Sequence, residues 1–415
     1  MDITKITPRC LKGVVDVPPS KSDAHRAIIG AALSSGESIV SNIAMSEDIK
    51  ATLEGMRSLG AKYTLSGTTV KIVPKKSGVK KNVEIDCGES GSTLRFLIPI
   101  ALLSGKNITF AGRGRLFSRP LKPYFDIFDK NGIVYEQTEN SLKLFGKLKS
   151  GLYSIAGNVS SQFITGLLFA LPLLEGDSEI VVTTDMESKG YVDMTLKTLK
   201  MYGIEIENKN YRRFIIKGGQ EYKPVNYTVE GDYSQGAFFL VAGALGCNIE
   251  VRGLKEDSLQ GDKEIIDIIK KVGGKIIKND NGIKAVRTAC MRGITVDVSN
   301  IPDLVPVMAV LFAFCEGESR IINARRLRMK ESDRLSAVAK ELSNLGADIV
   351  EGGDYLRIFG KQVLEAKTVS SWNDHRIAMA MAIAACRCEG ECVTIMESNA
   401  VKKSYPDFFD VYNKL

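Results

Sequence analysis

The same order of segments recurs six times along this chain of 415 residues. In each copy an apolar helical run reaches a glycine and leads into a short β-rich segment. The glycines are Gly36, Gly105, Gly176, Gly246, Gly317 and Gly390, separated by 69, 71, 70, 71 and 73 residues. A second helix in each copy ends at Gly60, Gly132, Gly203, Gly273 and Gly346, separated by 72, 71, 70 and 73 residues. The sixth copy is the terminal segment Ser404–Leu415. Such a period marks repeated structural units. A glycine behind a helix predicts a left-handed residue at the helix end. Alternating residues on both sides of Ser66-Gly67, and of Gly352-Gly353-Asp354, predict a β-hairpin after the second helix. The unit therefore reads helix, strand, helix, strand, strand, with a further strand leading to the next copy.

Six units exceed one ordinary core, since single cores stop growing near ~250–300 residues. The expected fold is α/β: two lobes, each of three βαβαββ units, as an inside-out α/β barrel. The predicted lobes are 20–228, and 229–415 together with 1–19. The leading strands Ile3–Pro8 and Leu11–Asp16 are expected to pair with the unit that lacks its own hairpin. The chain would then cross between lobes near Pro18-Pro19 and near residue 228. A cleft between lobes is where ligands usually sit.

Composition excludes several classes. The longest apolar runs, such as Gly236–Gly246, fall short of the ~20 residues of a membrane span. The start Met1-Asp2-Ile3-Thr4 has no signal-peptide character, so a cytosolic location is expected. Eight cysteines in so long a chain read as reduced thiols, and Cys386, Cys388 and Cys392 lack the spacing of a zinc site. With two histidines, no metal set and no nucleotide-binding fingerprint, neither a metal nor a cofactor is expected. The net charge of +7 suggests anionic partners. The basic residues are scattered without an aromatic stripe, which does not favour nucleic acid; small phosphorylated molecules fit as well, and charge alone does not decide.

The first helix of each unit opens on polar residues. These openings are Lys21-Ser22-Asp23-Ala24-His25-Arg26, Gly88-Glu89-Ser90-Gly91-Ser92-Thr93-Leu94-Arg95, and Ser160-Ser161-Gln162. They continue with Gly231-Asp232-Tyr233-Ser234-Gln235, Ile301-Pro302-Asp303, and Asn373-Asp374-His375-Arg376. Capping accounts for Ser, Asp and Asn at such places. It does not account for Lys21, Arg26, Arg95 and Arg376, because a helix start disfavours positive charge. Anions bound at the free amides would reconcile the two. Ser22 with Arg26, and Gly91 with Arg95, stand four apart on one helical face. The segment Lys330-Glu331-Ser332-Asp333-Arg334 is expected to open the second helix of the fifth unit, with Lys330 and Arg334 on one face. Arg113, Arg115 and Arg119 gather in a loop before Pro120.

In these motifs the sequence resembles the enolpyruvyl transferase family nearly end to end. The resemblance rests on the segments Pro19 to Arg26, Gly91 to Arg95, Arg119-Pro120 and Ser160-Ser161-Gln162. It rests equally on Lys330 to Arg334, Asn373 to Arg376, and Lys403-Ser404-Tyr405-Pro406-Asp407. It implies transfer of the enolpyruvyl group of phosphoenolpyruvate to the 5-hydroxyl of shikimate 3-phosphate, with phosphate released, in the biosynthesis of chorismate and aromatic amino acids. The shikimate 3-phosphate residues it implies are Lys21, Ser22, Arg26, Ser160, Ser161, Gln162, Ser188, Asp303 and Lys330. Those for phosphoenolpyruvate are Lys21, Gly91, Arg119, Gln162, Arg334, Arg376 and Lys403. Asp303, Glu331 and Lys21 are the implied catalytic groups. Glyphosate is the implied inhibitor, and a monomer the implied state.

Two positions depart from the family's common pattern. Glu89 stands two before Gly91 where many relatives carry Asn, and a carboxylate there repels an anion unless it is paired or turned away. Arg326 stands four before Lys330, again where Asn is common. The rival reading is the sister activity toward a UDP-amino sugar (UDP-N-acetylglucosamine). That enzyme usually carries a reactive cysteine before an Arg-Pro pair, and the loop Gly112–Pro120 here contains none.

Overall fold

An α-helix that is apolar on every side has to be enclosed by other elements. The computed structural model, which describes residues 2–74, 82–105 and 107–415, meets that demand within each of two compact units. One unit is Pro19–Val229 and the other is Met1–Pro18 with Glu230–Leu415.

The first unit holds α1 (Lys21–Leu33), α2 (Glu47–Ser58), α3 (Gly91–Ala101), α4 (Lys122–Asn131), α5 (Ser161–Ala170) and α6 (Lys189–Met201). The second holds α7 (Tyr233–Ala244), α8 (Ile265–Lys271), α9 (Val305–Phe312), α10 (Arg334–Asn344), α11 (His375–Ala384) and α12 (Phe408–Lys414). Every residue of α7, α9 and α11 is buried. The strands alternate instead, burying one face, as in Asn82–Asp86 and Glu318–Ile322. The first helix of each repeat in the second unit thus lies inside, and among the described residues no sheet closes into a barrel.

Five four-stranded sheets share one order. In the sheet of Asn82–Asp86, Asn107–Ala111, Ser141–Phe145 and Val134–Gln137, the leading strand runs parallel to the strand after the first helix. That strand runs antiparallel to the outgoing hairpin strand, which pairs with the incoming one. Asn226–Thr228 leads the sheet of Ser38–Ser41, so the last strand of the first unit completes its first repeat. The two N-terminal strands part company, contrary to the expectation that both serve the repeat without a hairpin. Ile3–Ile6 pairs antiparallel with Val393–Met396 and fills the missing hairpin position there. Lys12–Asp16 leads the fourth repeat, parallel to Asn248–Arg252. Lys12–Asp16 completes a four-stranded sheet, whereas the sheet of Ile3–Ile6 has three strands and no incoming hairpin strand.

Nine of the eleven periodic glycines have positive φ. Gly36 and Gly176 do not, and their reason is space: a Cβ would lie 3.1 Å from Pro224 Cγ or 2.5 Å from Ser150 Oγ.

Pro99 interrupts α3 and removes the N–H that the Arg95 carbonyl would otherwise accept. The buried Tyr124 hydroxyl donates to that carbonyl at 2.6 Å and to Phe163 O at 3.0 Å. A Cβ on Gly166 of α5 would stand 2.4 Å from both Arg95 O and Tyr124 Oη, so glycine lets the two helices close on this hydroxyl. Tyr124→Phe strands a buried carbonyl, and we expect a loss of about 1–3 kcal/mol in denaturant unfolding at unchanged m-value. A change below about 0.5 kcal/mol would mean that the carbonyl is satisfied some other way.

Candidate functional site

In the first unit the polar helix starts are capped by serines, and cations are drawn in above them. Ser20, Ser90 and Ser160 accept from backbone amides at the starts of α1, α3 and α5. Lys21 heads α1 and its Nζ donates to Asp48 Oδ2 at 2.6 Å. Arg26, one turn on, donates to Thr195 Oγ1 at 2.9 Å, Tyr191 O at 2.9 Å and Ser22 O at 2.6 Å. Its guanidinium stands 5.3 Å from the Phe96 ring, tying α1 to α6 and α3. Burial lowers the Arg26 pKa to about 10, against Tyr191 and Asp23. His25 beside it is held well below its ordinary value by burial and by the charges of Lys21 and Arg26. It is therefore neutral near pH 7, and its Nδ1 lies 2.7 Å from Thr52 Oγ1.

Gly91, Arg119 and Gln162 form a second group. A Cβ on Gly91 would lie 2.8 Å from Arg119 Nη1, so the guanidinium rests directly on the start of α3. Arg95 donates to Gln162 Oε1 at 2.7 Å, and Gln162 Nε2 donates to Ser92 Oγ at 2.9 Å. The amide of Gln162 is thereby fixed in orientation. Ser161 follows the cap in the first turn of α5 and is buried. Ser188 is also buried, with left-handed backbone at φ 56° just before α6. A non-glycine residue there stores strain of order 1–3 kcal/mol, and such strain gathers at ligand sites.

In the second unit one guanidinium organises the cluster. Arg334, 1% exposed, donates to Asp303 Oδ1 at 2.8 Å, Glu331 Oε2 at 2.7 Å and Asp374 Oδ2 at 2.7 Å. A further bond reaches Asp374 Oδ1 at 3.3 Å. Four of its five N–H groups are thus engaged, leaving one for a ligand. Burial opposes the Arg334 charge, but Asp374, Glu331 and Asp303 outweigh it and raise the pKa above the ordinary arginine value. Asp303 also accepts from Lys330 Nζ at 3.3 Å and from Arg376 Nη2 at 3.3 Å. Burial lowers the Lys330 pKa, Asp303 and Glu331 work against this, and Arg334 and Arg326 add to it. Lys403 donates to Asn373 O at 2.7 Å, at the start of α11.

The segment 330–334 does not open a helix as expected. α10 begins only at Arg334, with Asp333 as its cap, and residues 325–329 form a separate 3-10 turn. Lys330 and Arg334 converge on Asp303 through a bend, not through helical spacing.

The two departures from the common pattern have structural answers. The Glu89 carboxylate is turned onto Gly114, where a Cβ would meet its Oε2 at 2.6 Å. It lines a surface groove with Asp86 and Arg113. Arg326 donates to Ser299 O at 2.5 Å, on the segment that leads to Asp303. The sequence reading gives no role to Asp48, which holds Lys21, and none beyond capping to Asp374, which holds Arg334; Arg95, read there as a cation at a helix start, also holds Gln162. Asp374 also accepts from the Arg376 amide, so capping hides its second role.

Among the described residues no group of three His, Cys, Asp or Glu side chains is placed to hold a metal ion. No helix there is long and apolar enough to cross a membrane.

Comparison with known proteins gives this arrangement a family. The chain is similar to the 3-phosphoshikimate 1-carboxyvinyltransferase of Clostridium novyi (strain NT), 54% identical over 426 residues, covering 100% of this chain and 98% of that one. The enzyme of the same name from Clostridium acetobutylicum is 53% identical over 421 residues, covering 100% and 97%. An EPSP synthase structure from Acinetobacter baumannii superposes with a TM-score of 0.80 at 24% identity, covering 99% of this chain and 98% of that one. The enolpyruvyl transferase NikO from Streptomyces tendae also reaches 0.80, at 17% identity and covering 100% and 97%. Those two likenesses concern the fold alone. The model of the family described as EPSP synthase (3-phosphoshikimate 1-carboxyvinyltransferase) matches residues 6–412, and the chain belongs to that family.

Proposed function

We propose that this transferase moves the enolpyruvyl group of phosphoenolpyruvate to the 5-hydroxyl of shikimate 3-phosphate and releases phosphate. The observation that carries the reading is the cluster in which Arg334 binds Asp303 and Glu331 while Lys330 and Arg376 also reach Asp303. It offers two carboxylates for proton transfer and a surplus of donors for phosphate and carboxylate groups. Family membership and the cysteine-free loop 112–120 favour this acceptor over a UDP-amino sugar.

Shikimate 3-phosphate is assigned to Lys21, Ser22, Arg26, Ser160, Ser161, Gln162, Ser188, Asp303 and Lys330. Phosphoenolpyruvate is assigned to Lys21, Gly91, Arg119, Gln162, Arg334, Arg376 and Lys403. Arg334 brings one remaining N–H and a fixed charge; Arg119 and Arg376 bring guanidinium forks suited to oxyanions. In the addition step Asp303 takes the proton of the 5-hydroxyl as its oxygen attacks C2, and Glu331 with Lys21 delivers a proton to C3. In the elimination step the C2–O bond to phosphate breaks and C3 returns its proton. Glyphosate competes for the phosphoenolpyruvate residues, and the chain acts as a cytosolic monomer without a cofactor.

Phosphorus NMR of the two substrates with enzyme and EDTA tests the reaction: inorganic phosphate and an enolpyruvyl ether should appear together. Consumption of a UDP-amino sugar instead would transfer the reading to the sister activity. Asp303→Asn and Glu331→Gln should each lower kcat by roughly 10²–10⁴-fold, and near-full turnover in both would remove their assignment. Gly91→Ala drives a methyl into the Arg119 guanidinium. We expect KM for phosphoenolpyruvate to rise about tenfold, the equivalent of ~1.4 kcal/mol, with little change for shikimate 3-phosphate. Equal effects on both substrates would place Gly91 and Arg119 elsewhere.

A further inference from the structure

Next to the acid–base cluster of the second unit lies a carboxyl group that the mechanism above does not use. The 3-10 turn Gly261–Glu264 packs on the segment leading into the turn that carries Asp303. A Cβ on Gly261 would stand 3.3 Å from Asn300 O and 3.8 Å from Ile301 Cγ2. Asp262, the next residue, is 3% exposed. Its Oδ2 accepts from the Ser234 hydroxyl in the first turn of α7. Its Oδ1 is buried without a hydrogen-bond partner. A carboxylate has about four acceptor sites, so one hydrogen bond replaces little of the hydration lost on burial.

The charged groups that face Asp262 come from three elements: Asp232 at the start of α7, Asp303 from the neighbouring turn and Arg376 from α11. Two are carboxylates. The one cation is already shared, since Arg376 donates to Asp303 O at 3.2 Å and to Asp303 Oδ2 at 3.3 Å. A second full negative charge would compete with both Asp303 and an incoming anion for Arg376.

We propose that Asp262 is a positioning residue whose protonated form leaves the charge of Arg376 to Asp303 and phosphoenolpyruvate. This deepens the proposed function and rests on it. Burial first, and then the Asp303 charge, raise the Asp262 pKa to about 7, with Asp232 adding to them; Arg376 and Ser234 act against them. The group is therefore neutral below that pH and negative above it. Ionisation weakens the pull of Arg376 on an anion. By linkage, an anion bound at Arg376 strengthens the hold of Asp262 on its proton.

The test is KM for phosphoenolpyruvate at saturating shikimate 3-phosphate between pH 6 and 8.5, in the wild type and in Asp262→Asn, which mimics the neutral acid. Titration of the substrate itself cancels in the ratio of the two. That ratio, wild type over variant, should be near one at pH 6 and about fivefold at pH 8. A ratio flat across the range overturns the proposal. Ser234→Ala removes the one donor to the ionised form and should move the rise to higher pH; an unmoved rise also counts against it. If Asp262→Asn does not fold, pH-difference infrared spectroscopy of the wild type decides. A protonated-carboxyl band should be present at pH 6 and lost by pH 8, and its absence at pH 6 sinks the idea. An enzyme inert toward both substrates but showing that band would overturn the proposed function and not the protonation of Asp262.

Discussion

Helices without a polar face organise this protein. Every residue of α7, α9 and α11 is buried, so other elements must cover them and their polar groups stand at their ends. Each helix start then carries amides without an intrahelical partner, which favours caps, anions and tightly held side chains. The recurrence of polar openings at those starts follows from this constraint, and the chemistry is gathered there for the same reason.

What the starts hold differs between the two units. In Pro19–Val229 the cations are oriented by neutral partners as much as by acids: Arg26 by Thr195 and backbone carbonyls, Arg95 by Gln162 and Pro120 O. In the other unit the buried Arg334 is bound by three carboxylates, of which Asp374 is buried and Asp303 and Glu331 are partly exposed. Breaking a buried ion pair by removing one partner costs about 3–5 kcal/mol, so the Arg334–Asp374 pair anchors the cluster. Such an anchor suits the proton-transfer roles proposed for Asp303 and Glu331.

Close approach is the second recurring device. Gly91 under Arg119, and Gly166 against Arg95 O and Tyr124, both let a polar group come nearer than a Cβ would permit. Tyr124 repairs the carbonyl left open by Pro99 in the helix whose first turn contains Gly91 and Arg95. Packing and site geometry are therefore the same contacts in that region.

The sequence by itself determined the repeat, the two sets of three units, the α/β class and the motifs at the helix starts, because periodic glycines and capping residues act locally. Most of the proposed site residues were also legible in it, since each stands at a helix start or in a loop next to one. It did not determine where the N-terminal strands go: Ile3–Ile6 and Lys12–Asp16 look alike, and only the vacant place in each sheet separates them. It misplaced the start of α10, because a bend and a helical turn can bring Lys330 and Arg334 to the same carboxylate. Asp48, Asp374 and Asp262 were left to the tertiary structure. An acidic residue near a helix start reads as a cap or a solvated charge until the fold shows which cation, or which second carboxylate, it faces.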